Sequence, residues 1–184
     1  PKRVAVVGLG SGVTAGAALT HPLESLEIIE ISPEVVEASR LFDPYSGRPL
    51  SDPRARLIGG DARTHFTLKR GDSSLYDVII SEPSNPWIAG VNNLFTVDFY
   101  RRVRSRLEPG GVFCQWIQLY EINVDLVVSV LKAVAANFSD FAVYATNGGD
   151  MVIIAAKNGL LREPDYSLLK TPGISGALRR IHIE

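Results

Sequence analysis

The sequence has a single cysteine, Cys114, among its 184 residues. One cysteine cannot form a disulfide within the chain, and it cannot supply a zinc site built from several cysteines. The three histidines, His21, His65 and His182, are scattered and lack the spacing of metal ligands. We therefore expect no metal and no internal disulfide, a cysteine usage that suits a reducing compartment.

The sequence also lacks an excess of either charge, because 19 Lys and Arg residues balance 20 Asp and Glu residues. Without a broad cationic field, we predict no nucleic-acid partner and no contact between this piece and an anionic membrane. Its apolar runs are far shorter than the roughly 20 residues that span a bilayer. With no signal-peptide pattern present, we expect a cytoplasmic domain. Because the chain starts at Pro1, we also expect a piece of a longer protein, whose other segments could include a membrane anchor.

Apolar residues make up 46% of the chain and charged residues 21%, which predicts a globular domain with a large core. Short β-branched runs alternate with stretches of helical period, as in a parallel sheet covered by helices on both faces. The predicted strands are residues 3–7, 26–31, 56–58, 77–81 and 112–117. The predicted helices are 13–19, 33–42, 62–68, 96–107 and 124–137, with N-caps at Ser32, Thr96 and Asn123.

The alternation stops after the last predicted helix. Residues 141–146 and 151–156 are predicted to be strands joined by a turn at Asn147-Gly148-Gly149-Asp150. We therefore predict a Rossmann-like α/β fold with a seven-stranded, mostly parallel sheet and a C-terminal antiparallel hairpin. This arrangement resembles that of S-adenosylmethionine-dependent transferases. The nucleotide-binding domain is predicted to span residues 1–157, and residues 158–184, with several Pro and Gly breakers, to form a tail or linker.

A glycine cluster directly follows the first predicted strand, where Gly8, Gly10 and Gly12 surround Leu9 and Ser11. Glycines permit a tight turn with no Cβ in the way, so a ligand can lie over this loop at the helix N-terminus. The loop does not fit a dinucleotide fingerprint, because G-x-G-x-x-G would need glycine where the chain has Val13. A nicotinamide-dependent oxidoreductase is therefore disfavoured.

Two acids at the ends of later strands indicate an adenosine ligand. Glu30 ends the second strand and can accept hydrogen bonds from both ribose hydroxyls, while Asp61 can accept one from an adenine amino group. An ordinary strand-end acid at Glu30 and a helix cap at Asp61 remain alternatives. The predicted cofactor-binding residues are Gly8, Gly10, Ser11, Gly12, Glu30, Ile31, Asp61, Ala62 and Glu82.

The loop after the fourth strand is the predicted place of reaction. Glu82 is the candidate for a carboxylate that orients or deprotonates an amine, and Asn85 is a second candidate catalytic residue. Trp87 could wall off a cation through its aromatic face. Gln115 and Tyr120, near the end of the fifth strand, are further candidates for substrate binding. Plain turn, packing and connection roles remain alternatives for this set.

Residues 3–157 resemble the catalytic domain of the spermidine/spermine synthase family, the polyamine aminopropyltransferases. The resemblance lies in the glycine loop 8–12, Ile29-Glu30-Ile31-Ser32-Pro33-Glu34-Val35, Gly60-Asp61-Ala62-Arg63, Tyr76-Asp77-Val78-Ile79-Ile80, Leu94-Phe95-Thr96 with Phe99-Tyr100, and Leu107-Glu108-Pro109-Gly110-Gly111-Val112. It implies transfer of an aminopropyl group from decarboxylated S-adenosylmethionine, as co-substrate, to a diamine or polyamine. Self-association as a homodimer is left open.

The chain departs from the family pattern at three positions. Ser11 and Asn85 stand where the family usually has aspartates, and Glu82 stands where it has its catalytic aspartate. The family's N-terminal β-rich segment is also absent from this sequence. The glycine loop consequently resembles that of S-adenosylmethionine-dependent methyltransferases as well. Methyl transfer is the alternative function, and a nucleotide-binding domain without turnover is a third.

Overall fold

The structure is a computed structural model that describes residues 2–68, 75–83, 90–120, 122–145, 149–159 and 161–180. Within these ranges the strands are β1 (Lys2–Val7), β2 (Leu23–Glu30), β3 (Ala55–Gly59), β4 (Tyr76–Ser81), β5 (Leu107–Gln118), β6 (Asp140–Ala145) and β7 (Asp150–Ala156). The helices are α1 (Val13–Leu19), α2 (Pro33–Ser39), α3 (Asp43–Ser46), α4 (Ala62–Leu68), α5 (Val97–Arg106), α6 (Val124–Ala135) and α7 (Pro172–Arg180).

The strands form one seven-stranded sheet in the order β3-β2-β1-β4-β5-β7-β6. Neighbouring strands from β3 to β5 pair in parallel, whereas β7 pairs antiparallel with both β5 and β6. The predicted fold class is therefore confirmed. The second strand of the hairpin, β7, inserts beside β5 and leaves β6 at the edge. Two residues of the predicted turn at 147–150, Asn147 and Gly148, lie outside the described residues.

Three helices begin where the sequence predicts, because a side-chain oxygen accepts a hydrogen bond from a backbone N–H in the first turn. Ser32 Oγ accepts from Val35 N–H at 3.2 Å, and Pro33 follows the cap. Thr96 Oγ1 accepts from Phe99 N–H at 3.2 Å, and Asn123 Oδ1 accepts from Leu126 N–H at 2.8 Å. These caps set the points at which the chain leaves the carboxyl edge of the sheet.

The helix predicted over 33–42 is shorter in the structure. Helix α2 ends at Ser39, residues Arg40–Phe42 form a 3-10 turn, and α3 adds one further turn. The change of direction lets Ser46 and Pro49 approach the first helix, where their atoms lie beside Gly12 and Gly16. Helical period alone does not reveal this bend, because the bend depends on a contact with another element.

The core has two parts, one on each face of the sheet. One face is covered by α4, α5 and α6 and contains the aromatic side chains Phe66, Phe99, Tyr100, Phe113 and Phe138. The other face is covered by α1 and α2 over β1 and β2. Strand residues alternate between the two parts, which is the pattern expected of a sheet buried on both faces.

The predicted tail or linker, residues 158–184, contains a helix that the sequence analysis does not place. Helix α7 contributes Ile174 and Leu178 to a groove of about 630 Å³, whose floor includes Val4, Val78 and Ile80. Proline and glycine at its start suit the first turn of a helix, where Pro172 needs no hydrogen-bond donor. Among the described helices, none has both the length and the apolar character needed to span a membrane.

Candidate functional site

The candidate site lies at the carboxyl edge of the sheet, where β1 adjoins β4 and the strand order changes direction. Ligands of open α/β sheets bind at such switch points. A cavity of about 320 Å³ opens there, bordered by the ends of β1, β2, β3 and β4 and the loops that follow them. We call it the nucleotide cavity, after the ligand that the sequence predicts. Its described lining residues include seven predicted ones: Gly8, Gly10, Glu30, Ile31, Asp61, Ala62 and Glu82.

Gly8 has two reasons to be glycine. Its φ of 91° lies in the region that residues with a Cβ rarely adopt, and an added Cβ would stand 2.5 Å from the carbonyl oxygen of Glu82. The close approach arises because Gly8 and Glu82 follow the paired residues Val7 and Ser81 of adjacent strands. Gly8 thus lets the glycine loop and the loop after β4 approach each other.

Glu30 is buried and holds the glycine loop in place. Its Oε2 accepts a hydrogen bond from Leu9 N–H and its Oε1 accepts one from Ser32 N–H, both at 2.9 Å. The carboxylate therefore ties the loop after β1 to the start of α2 while it borders the nucleotide cavity. Each oxygen retains a lone pair, so the structural role leaves room for the predicted hydrogen bonds to ribose hydroxyls.

Asp61 caps a helix and also borders the nucleotide cavity. Its Oδ2 accepts hydrogen bonds from the backbone N–H and the hydroxyl of Thr64, each at 2.8 Å, which caps α4. Asp61 also borders the nucleotide cavity beside Ala62. Capping orients the carboxylate at the rim, and its assignment to an adenine amino group stays a prediction.

A second cavity, of about 210 Å³, lies beside the first. We call it the acceptor cavity, after the amine that the sequence predicts to accept the transferred group. The two share Gly8, Gly10 and Glu82. Glu82 Oε2 accepts a hydrogen bond of 2.6 Å from Thr14 Oγ1, so the first turn of α1 orients the carboxylate. Ser11 also borders the acceptor cavity. Glu82 is its one charged residue among those that the structure describes.

The sequence analysis missed Thr14 and Trp116, which both border the acceptor cavity. Trp116 comes from β5, which pairs with β4 in the register Ile80 to Cys114 and Ser81 to Gln115. One further step brings Glu82 beside Trp116. Strand alternation already separates Gln115 from Trp116, since successive side chains point to opposite faces. The sequence alone does not show which face of β5 borders the cavity.

Gln115 and Tyr120 lie elsewhere. The Gln115 side chain is fully buried, and its Nε2 donates to the carbonyl oxygens of Ser81 and Trp116 at 3.2 and 2.9 Å. Tyr120 follows β5 and is 57% exposed. Neither is among the described residues that border the two cavities, and their substrate-binding roles stay predictions. Asn85 and Trp87 fall outside the described residues. Gly12, the last residue of the glycine loop, is not among the described residues that border the two cavities, and an added Cβ there would stand 3.0 Å from Pro49 Cγ. Its cofactor-binding role stays a prediction.

Cys114, on the fifth strand, lies near Glu82 and is a poor nucleophile. Burial, together with the negative charge of Glu82, raises the pKa of its thiol to about 12. The thiol is therefore protonated at neutral pH. Among the described residues, no three His, Cys, Asp or Glu side chains cluster as metal ligands would. That the protein needs no metal stays a prediction.

The sheet order and the glycine loop define an α/β domain with the fold of S-adenosylmethionine-dependent transferases. The family model described as "Spermine/spermidine synthase domain" matches residues 1–148. The chain belongs to this family, as the resemblance in the sequence predicts.

Two relatives and one solved structure illustrate the similarity. Putrescine N-methyltransferase 3 of Nicotiana tabacum is 36% identical over 138 residues, which are 74% of this chain and 34% of that protein. Spermidine synthase of Dictyostelium discoideum is 34% identical over 128 residues, 69% of this chain and 44% of that protein. A crystal structure of spermidine synthase in complex with the transition-state analogue AdoDATO has a TM-score of 0.76 and 25% identity, and the match covers 86% of this chain and 55% of that one. The chain thus spans between a third and a half of the length of the two relatives.

Proposed function

We propose that this domain is a spermidine synthase-like transferase that moves an aminopropyl group from decarboxylated S-adenosylmethionine to an amine of a diamine or polyamine. The observation that carries the proposal is the junction of the nucleotide and acceptor cavities at Glu82. Glu30 and Asp61 border the first cavity, where adenosine would bind, and Glu82 stands between it and the second. Membership of the spermine/spermidine synthase family supports the same assignment.

The proposed reaction is a direct displacement. The lone pair of the acceptor nitrogen attacks the aminopropyl carbon bonded to sulfur, and a C–N bond forms as the C–S bond breaks. The bonding pair goes to sulfur, so the sulfonium becomes the neutral thioether methylthioadenosine. Glu82 removes the proton from the attacking amine, while its hydrogen bond to Thr14 keeps the carboxylate aligned. The cofactor is thus a co-substrate, and the chemistry needs only positioning and a base.

Methyl transfer from S-adenosylmethionine is the second candidate, and one position favours it. Ser11 gives the acceptor cavity a neutral side chain where the family resemblance implies an aspartate. A carboxylate at that position would repel the carboxylate of S-adenosylmethionine, and Ser11 does not. The similarity to putrescine N-methyltransferase 3 points the same way. The nitrogen would then attack the methyl carbon, and S-adenosylhomocysteine would leave.

Calorimetric titration with four ligands tests the choice. Tenfold tighter binding of decarboxylated S-adenosylmethionine and methylthioadenosine, about 1.4 kcal/mol, supports aminopropyl transfer. The same preference for S-adenosylmethionine and S-adenosylhomocysteine supports methyl transfer instead. Binding without product from any diamine would leave a domain that holds nucleotide without turnover. Absence of binding by all four ligands would contradict the proposal.

The role of Glu82 is tested with Glu82→Gln, which keeps the shape of the side chain and removes its charge. We expect the rate of product formation to fall about 10²- to 10⁴-fold, the usual contribution of a general base, while the affinity for the nucleotide changes little. Glu37→Gln, at an exposed position of α2 outside both cavities, is the matched control. Full activity in Glu82→Gln would exclude Glu82 as the base.

A further inference from the structure

Trp116 is the aromatic residue that the described structure places in the acceptor cavity, next to its carboxylate. It belongs to β5 and is partly buried, with its neighbours Gln115 and Ile117 on the opposite, fully buried face. The β4–β5 register brings Trp116 beside Glu82, and adjacent strands lie about 4.8 Å apart. An indole ring and a carboxylate thus border the same small space.

The two groups suit a cation for different reasons. The carboxylate attracts positive charge directly, whereas the face of an aromatic ring attracts it through the ring quadrupole, most strongly for tryptophan. An aromatic ring attracts a cation without accepting a proton or a hydrogen bond from it. It can therefore bind a sulfonium, which has no N–H or O–H to donate.

We propose that Trp116 is a specificity-determining residue whose indole face binds the cationic sulfonium and distinguishes it from the neutral thioether that the reaction leaves. The inference rests on the proposed function, because it takes the ligand to be a sulfonium. It applies equally to aminopropyl and methyl transfer, since both convert a sulfonium into a thioether. Loss of charge on sulfur removes the attraction to the ring, so the same contact that selects the substrate favours release of the product.

The test compares ligands that differ by one methyl group and the charge on sulfur. These are S-adenosylmethionine with S-adenosylhomocysteine, and decarboxylated S-adenosylmethionine with its demethylated thioether. We expect Trp116→Leu to weaken binding of each sulfonium about tenfold, or about 1.4 kcal/mol, and of each thioether less than about twofold. The sulfonium affinity of Trp116→Phe should lie between that of the unmodified protein and that of Trp116→Leu. Tyr144→Leu is the control, because Tyr144 is an aromatic on the same sheet face, two strands from Trp116.

A second measurement leaves the shape of the side chain almost unchanged. The chain has two tryptophans, so fluorinated tryptophans are incorporated both into the unmodified protein and into Trp116→Phe, where Trp87 alone carries the label, and the difference between the two series reports on Trp116. Each added fluorine weakens the ring quadrupole, and we expect sulfonium affinity to fall stepwise with fluorine number while thioether affinity stays level. This series remains informative if Trp116→Leu does not fold.

The outcomes separate the two proposals. Equal weakening of sulfonium and thioether would show that Trp116 only shapes the cavity, and unchanged affinities would show that it does not contact the ligand. Either result overturns the inference and leaves the proposed function standing. Failure of the unmodified protein to bind any of the four ligands would overturn both.

Discussion

Glu30 and Glu82 border the same nucleotide cavity, but the chain holds them differently. Glu30 accepts two backbone N–H groups from two loops, so its charge is part of the framework. Glu82 accepts one hydroxyl, from Thr14, among the described residues. At the level of single residues, Glu30 is part of the framework of the site, whereas Glu82 has an oxygen without a described protein partner, which supports its proposed role as the base.

Ser11 is the residue at which we expect co-substrate choice to change. Ser11→Asp places a second carboxylate at the acceptor cavity, which attracts the aminopropyl ammonium and repels the carboxylate of S-adenosylmethionine. We predict that the preference for decarboxylated S-adenosylmethionine over S-adenosylmethionine rises about tenfold, or about 1.4 kcal/mol, in calorimetric titrations. Ser11→Asn is the matched neutral control. Equal preference in Ser11→Asp and the unmodified protein would contradict this role.

At the scale of elements, a close backbone contact with α3 positions α1, the helix that follows the glycine loop. An added Cβ at Gly16 would stand 1.7 Å from the carbonyl oxygen of Ser46, at the end of α3. No side chain fits that space, so the backbones of the two helices touch. Because α1 begins at the glycine loop and carries Thr14, its position also sets that of Glu82.

Gly16→Ala should therefore be strongly destabilising. We predict a loss of about 3 kcal/mol in the free energy of unfolding, because the clash is with backbone and must move α3. Gly176→Ala is the control in α7, where an added Cβ meets nothing within 4 Å among the described residues. It should instead stabilise by about 0.5–1 kcal/mol through reduced backbone entropy. Urea unfolding measures both, and similar values for the two would contradict the prediction.

Helix α5 contains a fully buried tyrosine, Tyr100, whose Oη has no hydrogen-bond partner among the described residues. Burial raises the pKa of this phenol above its usual value of 10.0. A raised pKa in the folded state means that the stability linked to the protonated phenol is present below about pH 10 and is lost as the pH rises.

Tyr100→Phe should remove the cost of burying an unpaired hydroxyl and also the loss of stability at high pH that the raised pKa causes. We predict that the free energy of unfolding rises by about 1 kcal/mol at pH 7, because a buried hydroxyl without a partner is no longer desolvated. The advantage of the variant should grow above about pH 10, where the unfolded phenol of the original protein ionises. Urea unfolding at neutral and alkaline pH tests this. A variant less stable than the original at pH 7 would indicate a partner for the hydroxyl.

At the scale of the whole molecule, the two cavities of the proposed site lie at one edge of the sheet. The described residues that border the nucleotide and acceptor cavities all lie between Val7 and Trp116. Helix α7 instead lines the groove over Val4, Val78 and Ile80, a groove that also reaches Thr14. None of the described residues after residue 157 borders either cavity, so we expect this part of the chain to affect stability more than ligand binding.

Truncation after Gly159 tests the proposed boundary of the domain at residue 157. We predict cooperative unfolding with a lower thermal midpoint, because removal of Ile174 and Leu178 exposes apolar surface worth about 2 kcal/mol. Affinity for the nucleotide should stay within about twofold, a range that corresponds to less than 1 kcal/mol. Loss of binding in a truncated chain that still folds would show that the last helix supports the site.

Local chemistry along the chain was enough to predict the strands, the three helix caps, the glycine loop and the acids at the strand ends. These features depend on period, backbone freedom and hydrogen bonds between residues a few positions apart. The end of α2 at Ser39 and the helix α7 were not predicted, since each depends on contacts with distant segments.

Long-range packing decided the rest. It placed β7 beside β5 and turned Trp116, instead of Gln115, toward the acceptor cavity. It also brought Thr14 to Glu82 across 68 positions of sequence. Such pairings are set when strands and helices come together, because the free energy of burial depends on which surfaces meet and not on the order of residues in each element.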